Sequence, residues 1–166
     1  MDLTFKTAQR ADLPRIVAIY NDSIPGRLAT ADTRPVQVAD REAWFAAFDP
    51  ASRPIWVVKV GQQIAGWVSL ESFYGRPAYY QTAEISLYID PAFHHQGLGQ
   101  HALDFVTAQL PRLGLKTIVA YVFSHNAPSQ GLFVKNGFAW WGHLPDVAVL
   151  DGQLRSLDIL GRRFEA

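Results

Sequence analysis

The spacing of apolar residues changes several times along the chain, and each change marks an element. Leu3 to Thr7 reads as a short strand. Ala11-Asp12-Leu13-Pro14 then opens a helix, with Asp12 as its cap and Pro14 in its first turn. Leu13, Ile16, Val17, Ile19 and Tyr20 follow helical spacing, and a second helix is predicted from Val38 to Phe48, with Trp44, Phe45 and Phe48 on one side. Ile55 to Val60 and Ile64 to Leu70 are β-branched runs around Gly61-Gln62-Gln63, which predicts a hairpin.

From Thr82 to Asp90 the alternation is clean. Ala83, Ile85, Leu87 and Ile89 fall on one face, and Thr82, Glu84, Ser86 and Tyr88 on the other. Pro91 ends this strand, and a polar turn leads into an amphipathic helix through Leu98, Ala102, Leu103, Val106 and Leu110. A further strand is expected over Thr117 to Phe123. Asn126 and Pro128 then open a short helix that Gly137 can close in the left-handed conformation. Near the C-terminus, Asp151-Gly152 between two strand-like runs predicts a tight hairpin. Meander, strand-helix-strand-helix and hairpin together predict an α/β (mixed α+β) fold, a mixed sheet with helices on both faces.

The length of 166 residues suits one domain, expected over 1–166, and no repeat or low-complexity linker divides it. The Pro- and Gly-containing stretch Ile24 to Pro35 is too short to separate two cores and is expected to join two helices near a surface cleft. Fifteen basic and fifteen acidic residues balance, which disfavours nucleic acid and anionic membranes as partners. The absence of cysteine excludes disulfide and thiolate chemistry, and no signal-like or membrane-spanning run occurs, so a cytoplasmic location is expected.

The turn His94-His95-Gln96-Gly97-Leu98-Gly99-Gln100 lies between a strand and a helix N-terminus, where several backbone N–H groups lack intrahelical partners. Glycines at 97 and 99 allow close backbone approach, and the helix dipole adds partial positive charge, so the turn is either a diphosphate site or an ordinary tight turn. A dinucleotide fold does not fit, because the third glycine of GxGxxG and the following acidic residue are missing. A metal at His94, His95 and His101 is not expected, since adjacent histidines on a turn rarely converge.

This turn resembles the signature of the GNAT acetyltransferases, Arg/Gln-x-x-Gly-x-Gly/Ala, with His94 in place of the usual first residue. A second block, Asn126-Ala127-Pro128-Ser129 followed by Leu132 to Phe138, resembles that family's Asn-x-x-Ser-x-x-Leu-(Tyr/His)-x-x-x-Gly-Phe. Ile19-Tyr20-Asn21, Trp44, Gly66 to Leu70, Arg76-Pro77-Ala78-Tyr79 and Glu84 to Ile89 are similar to the phosphinothricin acetyltransferase branch, although Leu150 to Leu154 departs from that branch's Lys-x-Gly-x-Trp. The resemblance implies a twisted mixed sheet of about six or seven strands, acetyl-CoA as co-substrate without a metal, and a homodimer. It implies that backbone amides of the turn, His94 through Gln100, hold the coenzyme A pyrophosphate, that Leu87, Tyr88 and Ile89 run beside the pantetheine, and that Asn126 and Ser129 contact its neighbourhood.

Acetyl transfer to an amine requires a group that takes a proton from nitrogen. Glu84 is the only carboxylate inside the alternating strand, and the resemblance places the base there as well; the alternatives are an ion pair with Arg76 or a solvent-facing role. At the position where many relatives carry a proton-donating tyrosine stands Phe133, which has no proton to give, leaving water, Tyr121 or unprotonated departure of the thiolate. The loop Phe73 to Tyr80, with Arg76 and Tyr79, is expected to bind the acceptor. Arg76 either clamps an acceptor carboxylate or forms a surface salt bridge, and Tyr20 and Asn21 are expected to complete the pocket, with core packing the alternative for Tyr20. The substrate expected is a small, amino-acid-like amine. A protein N-terminus or lysine, or a non-catalytic acyl-CoA-binding module, are the other readings.

Overall fold

The computed structural model describes residues 1–165. Seven strands form one sheet in the order β1-β2-β3-β4-β5-β7-β6, within the six or seven expected. They are β1 (Leu3–Thr7), β2 (Ile55–Val60), β3 (Gln63–Ser72), β4 (Thr82–Ile89), β5 (Thr117–Phe123), β6 (Ala139–Leu150) and β7 (Gln153–Arg163). The helices are α1 (Leu13–Asp22), α2 (Glu42–Ala46), α3 (Leu98–Leu113) and α4 (Ala127–Lys135).

Period-two patterning decides which residues enter which core. Val68, Leu70, Ala83 and Ile85 pack against Leu103, Val106 and Leu110 of α3 and Phe133 of α4. The opposite face of the sheet places Ile55, Val57 and Trp67 against Ile16 and Ile19 of α1, with Trp44, Phe45 and Phe48 at its margin. Each fully buried Leu, Ile or Val contributes roughly 1.5–3 kcal/mol relative to exposure, so α3 is held chiefly by its apolar stripe.

All strand pairings are antiparallel except β4 with β5. That one parallel ladder is short, joining only Thr82–Glu84 to Thr117–Val119. Beyond Glu84 the two strands part, and the sheet opens into a cleft. The opening is stabilised on both sides: β4 remains paired with β3 as far as Ile89, and β5 with β7 as far as Phe123.

Three elements differ from the sequence reading. Asp12 does not cap α1; its carboxylate turns back and accepts the Gln9 N–H at 2.8 Å, closing a 3₁₀ turn at Arg10–Asp12. The helix expected over Val38 to Phe48 is a 3₁₀ turn at Val38–Arg41 followed by the five residues of α2. The terminal hairpin turns at Asp151-Gly152, both left-handed with φ of 52° and 75°, as a two-residue turn of this kind requires. Its strands extend much further than the local signal, from Ala139 and to Arg163.

Candidate acetyl-CoA and acceptor site

The glycine turn leaves several backbone N–H groups unpaired at the N-terminus of α3. His95 and Gly97 are both left-handed, with φ of 63° and 78°, and Gly97 is the N-cap of α3. His101 N–H makes the first backbone bond of the helix, to the Gly97 carbonyl at 3.1 Å, so the N–H groups of Leu98, Gly99 and Gln100 point out of its end. Around Gly97 a side chain would meet no atom within 4 Å, whereas a Cβ on Gly99 would lie 3.0 Å from Leu132 Cδ2. Gly97 therefore serves the turn conformation, and Gly99 serves the close approach of α3 to α4, a packing role the sequence alone did not reveal. The His94 ring bonds the Ile89 carbonyl at 3.0 Å, and the Gln100 side chain exchanges hydrogen bonds with Asn136 at 2.7 and 2.9 Å. These two side chains are occupied in bracing the turn, which leaves its backbone to face a ligand. Among the described residues no group of three His, Cys, Asp or Glu side chains converges as a metal site would require.

From this turn a groove of about 610 Å³ runs along Leu87, Tyr88 and Ile89 to Asn126 and Ser129. It is continuous, through Leu87, Tyr88, Asn126, Ser129 and Leu132, with a cavity of about 400 Å³ between the parted strands, where Glu84, Ser86 and Tyr121 lie. Gln96 stands exposed on the turn, while Leu98 is buried beneath it. Groove and cavity thus form one continuous path of graded chemistry: free N–H groups, then apolar walls and strand edge, then a carboxylate.

Asn126 is almost fully buried and has two partners: its carbonyl oxygen accepts the Ser129 N–H at 3.2 Å and caps α4, and its amide donates to the Leu28 carbonyl at 3.1 Å. The segment 24–35 thereby becomes a strap across the cleft. His125 bonds the Arg27 carbonyl on one side, and the Tyr88 hydroxyl donates to the Ala29 carbonyl on the other. Tyr20 donates to Asp32 and also bonds Thr30, and Arg41 pairs with Asp32 at 3.2 Å. Asn21 holds both the N–H and the carbonyl of Val36, at 2.9 and 3.0 Å, and so fastens the strap's exit.

Glu84 sits half-buried at the fork of the strands. Burial first, and the neighbouring Glu71 second, push its carboxyl above the usual glutamate range. Across the β3–β4 ladder Glu71 is its direct partner. Sequence reading missed Glu71, because the nine residues 73–81 between β3 and β4 do not dictate register. Tyr121 lines the same cavity, and burial followed by Glu84 raises its hydroxyl above the ordinary tyrosine value, so it stays protonated. Phe133 is buried against Phe138, where it fills the core beneath the cavity.

The structure does not bring Arg76 and Tyr79 to Glu84. With Arg53, Phe73 and Tyr80 they line a separate cavity of about 360 Å³. A carboxylate pair between Glu84 and Arg76 is accordingly not formed, and both Arg76 and Tyr79 are exposed.

The acetyltransferase (GNAT) family profile matches residues 14–138. A Bacillus subtilis (strain 168) protein named "Putative phosphinothricin acetyltransferase YwnH" is 45% identical over 98% of this chain and 99% of its own length. An L-methionine sulfoximine/L-methionine sulfone acetyltransferase of Pseudomonas aeruginosa is 34% identical over 96% of this chain and 94% of its own. Among solved structures, yncA of Salmonella typhimurium, described as "a putative ACETYLTRANSFERASE" with its cofactor acetyl-CoA, superposes with a TM-score of 0.90 at 27% identity, covering 99% of this chain and 95% of that one. The cradle, the groove and these similarities converge: the chain belongs to the acetyltransferase (GNAT) family and is an acetyl-CoA-dependent N-acetyltransferase.

Proposed function

We propose that the acceptor is the primary amine of a small, amino-acid-like molecule and that Glu84 is the general base. The observation that carries the reading is the position of Glu84, in the cavity that continues the cofactor groove, with a carboxyl poised by burial to accept a proton. Two relatives whose names state amino-acid-like substrates support the acceptor class.

Acetyl-CoA, when bound, supplies the activated acetyl group. The protein's residues then act in order. N–H groups of the 95–100 turn bind the diphosphate, and Leu87, Tyr88, Ile89, Asn126 and Ser129 align the pantetheine arm. Past Glu84, the edge of β4 facing β5 has no strand neighbour, so its N–H groups are free to donate to the acetyl oxygen as charge develops there, an effect worth about 3 kcal/mol in acyl transfer. Glu84 takes one proton from the acceptor ammonium, directly or through a water, and the neutral amine attacks. The N–C bond forms as the C–S bond breaks, and the second proton shed by the nitrogen passes through water to restore the proton that Tyr121 gives up. Tyr121, protonated and in the same cavity, is positioned to return a proton to the departing sulfur.

We also propose a homodimer, supported by the edge strand β6 and its hairpin partner, which expose Trp140, Val147, Val149 and Leu154, each more than half accessible.

The test of the acceptor is thiol release from acetyl-CoA across a panel: L-methionine sulfone, phosphinothricin, common amino acids, a free-N-terminus peptide, a lysine peptide and no amine. Turnover confined to the small amines is expected. Turnover with peptides alone, or thiol release independent of any amine, contradicts the proposal.

A further inference from the structure

Glu71 and Glu84 stand directly opposite one another on β3 and β4. Period-two alternation puts both side chains on the sheet face that carries Ser86 and Tyr88. Side chains so paired have Cβ atoms roughly 5 Å apart, and like charges placed there destabilise a sheet. Stability therefore gives no reason for the pair.

The two carboxylates differ in what surrounds them. Trp44 Nε1–H donates to Glu71 Oε1 at 3.2 Å and fixes that carboxylate in place. No side chain among the described residues donates to Glu84. Trp44 is itself held edge-on against Trp67 and Phe48, with ring centroids 5.6 and 5.1 Å away, so the donor is rigid. Glu71 opens, with Arg41 and Ser86, into a small cavity of about 90 Å³, and Ser86 also lines the cavity that holds Glu84. The other titratable or charged groups around this region include Tyr121 from β5 with Tyr74 beside it, Tyr88 from β4, Tyr20 from α1 with Asp32 beside it, and Arg41 from the turn before α2. Arg41 is engaged by Asp32 and lies over the Tyr20 and Trp44 rings, at 4.9 and 5.6 Å. Its charge is thus largely committed before it reaches Glu71.

We infer that Glu71 is a positioning residue for proton transfer: fixed by the Trp44 indole directly across the ladder from Glu84, it keeps a negative charge there that makes Glu84 the stronger proton acceptor. Glu71 acts through Glu84 and need not touch the acceptor. The inference deepens the proposed mechanism and rests on Glu84 being the base. Burial and Glu71 both raise the Glu84 carboxyl, in that order, consistent with the geometry.

The experiment is a carboxyl titration of ¹³C-glutamate-labelled protein by NMR, assigned with Glu71→Gln and Glu84→Gln, together with the pH profile of kcat/KM for the amine turned over fastest in the panel. Glu71→Gln should lower the Glu84 midpoint by roughly half to one pH unit and move the acid limb of kcat/KM by the same amount, with KM for acetyl-CoA unchanged. Trp44→Phe serves as the second variant and removes the donor alone; with Glu71 no longer held across the ladder, the Glu84 midpoint should fall part of the way towards its value in Glu71→Gln. A Glu84 midpoint unmoved by Glu71→Gln, or wild-type curves in Trp44→Phe, overturns the inference. Failure of the underlying reading looks different: Glu84→Gln would then retain turnover and the acid limb, whatever Glu71 does to the Glu84 midpoint.

Discussion

Replacing Gly97 by alanine and by glutamate separates what the turn needs for folding from what it needs for the ligand. Gly97 has φ of 78°, and no atom lies within 4 Å of the position a Cβ would take. Alanine therefore suffers only the left-handed backbone cost of about 1–2 kcal/mol, which for a chain of this size lowers Tm by roughly 2–8 °C. Glutamate meets the same backbone cost and the same open space, so its Tm should fall equally. It differs by placing a negative charge beside the N–H groups of Leu98, Gly99 and Gln100. Two unit charges 5–6 Å apart in a partly exposed site repel by roughly 1–2 kcal/mol, so acetyl-CoA should bind the glutamate variant about 5- to 30-fold more weakly than the alanine variant. Calorimetric titration at low and at 0.5 M salt is the assay, because screening should shrink the gap between the variants. Equal affinities of the two folded variants at low salt would refute the diphosphate cradle.

Asp158 is a buried carboxylate that accepts hydrogen bonds from Ser124 Oγ at 2.9 Å, Gln130 Nε2 at 3.0 Å and His143 Nδ1 at 2.6 Å. Burial opposes its charge, but these donors outweigh burial and hold its carboxyl below the usual aspartate range. Its contribution is thus complete above the unfolded aspartate pKa of about 3.9 and is lost as pH falls through the lower folded value. Asp158→Asn should cost about 2–3 kcal/mol at pH 7 and flatten the decline of Tm below pH 4; an unchanged slope there in thermal melts would contradict the assignment. For the proposed homodimer, light scattering at micromolar concentration should give twice the chain mass, and Val149→Lys, opposite Leu154 in the exposed hairpin, should shift it to monomer; monomer in the native protein counts against the proposal.

What could be read from the sequence, and what could not, follows from the range of the interactions involved. The alternation of β4 placed Glu84, Ser86 and Tyr88 on one face before any tertiary contact was known, because a strand's faces depend only on its own period. The Asp151-Gly152 turn and the left-handed Gly137, with φ of 85°, were likewise local consequences of residue type. Long-range pairing was not legible. Glu71 meets Glu84 only through the β3–β4 register, and Gly99 is needed because Leu132, on a different helix, comes within 3.0 Å. Asp12 lost its expected capping role to a competing local bond with the Gln9 N–H. The extra length of β6 and β7 depends on cross-strand partners as distant as Ala139 and Gly161. Arg76 and Tyr79 were expected to bind the acceptor because their loop combines aromatic rings with an arginine that can clamp a carboxylate, whereas Thr82 and Ala83 begin a strand that carries Glu84 away from that loop.

The mechanism turns on Glu84, and one measurement tests it most directly: kcat of Glu84→Gln on the amine the native enzyme turns over fastest, with both substrates saturating, from pH 7 upward. The amide keeps the size and polarity of the side chain but cannot accept the ammonium proton. At pH 7 kcat should fall by about 10²- to 10⁴-fold with acetyl-CoA affinity unchanged, and part of the loss should return as solvent deprotonates the amine at higher pH. A kcat within twofold of the native enzyme at pH 7 would contradict the account.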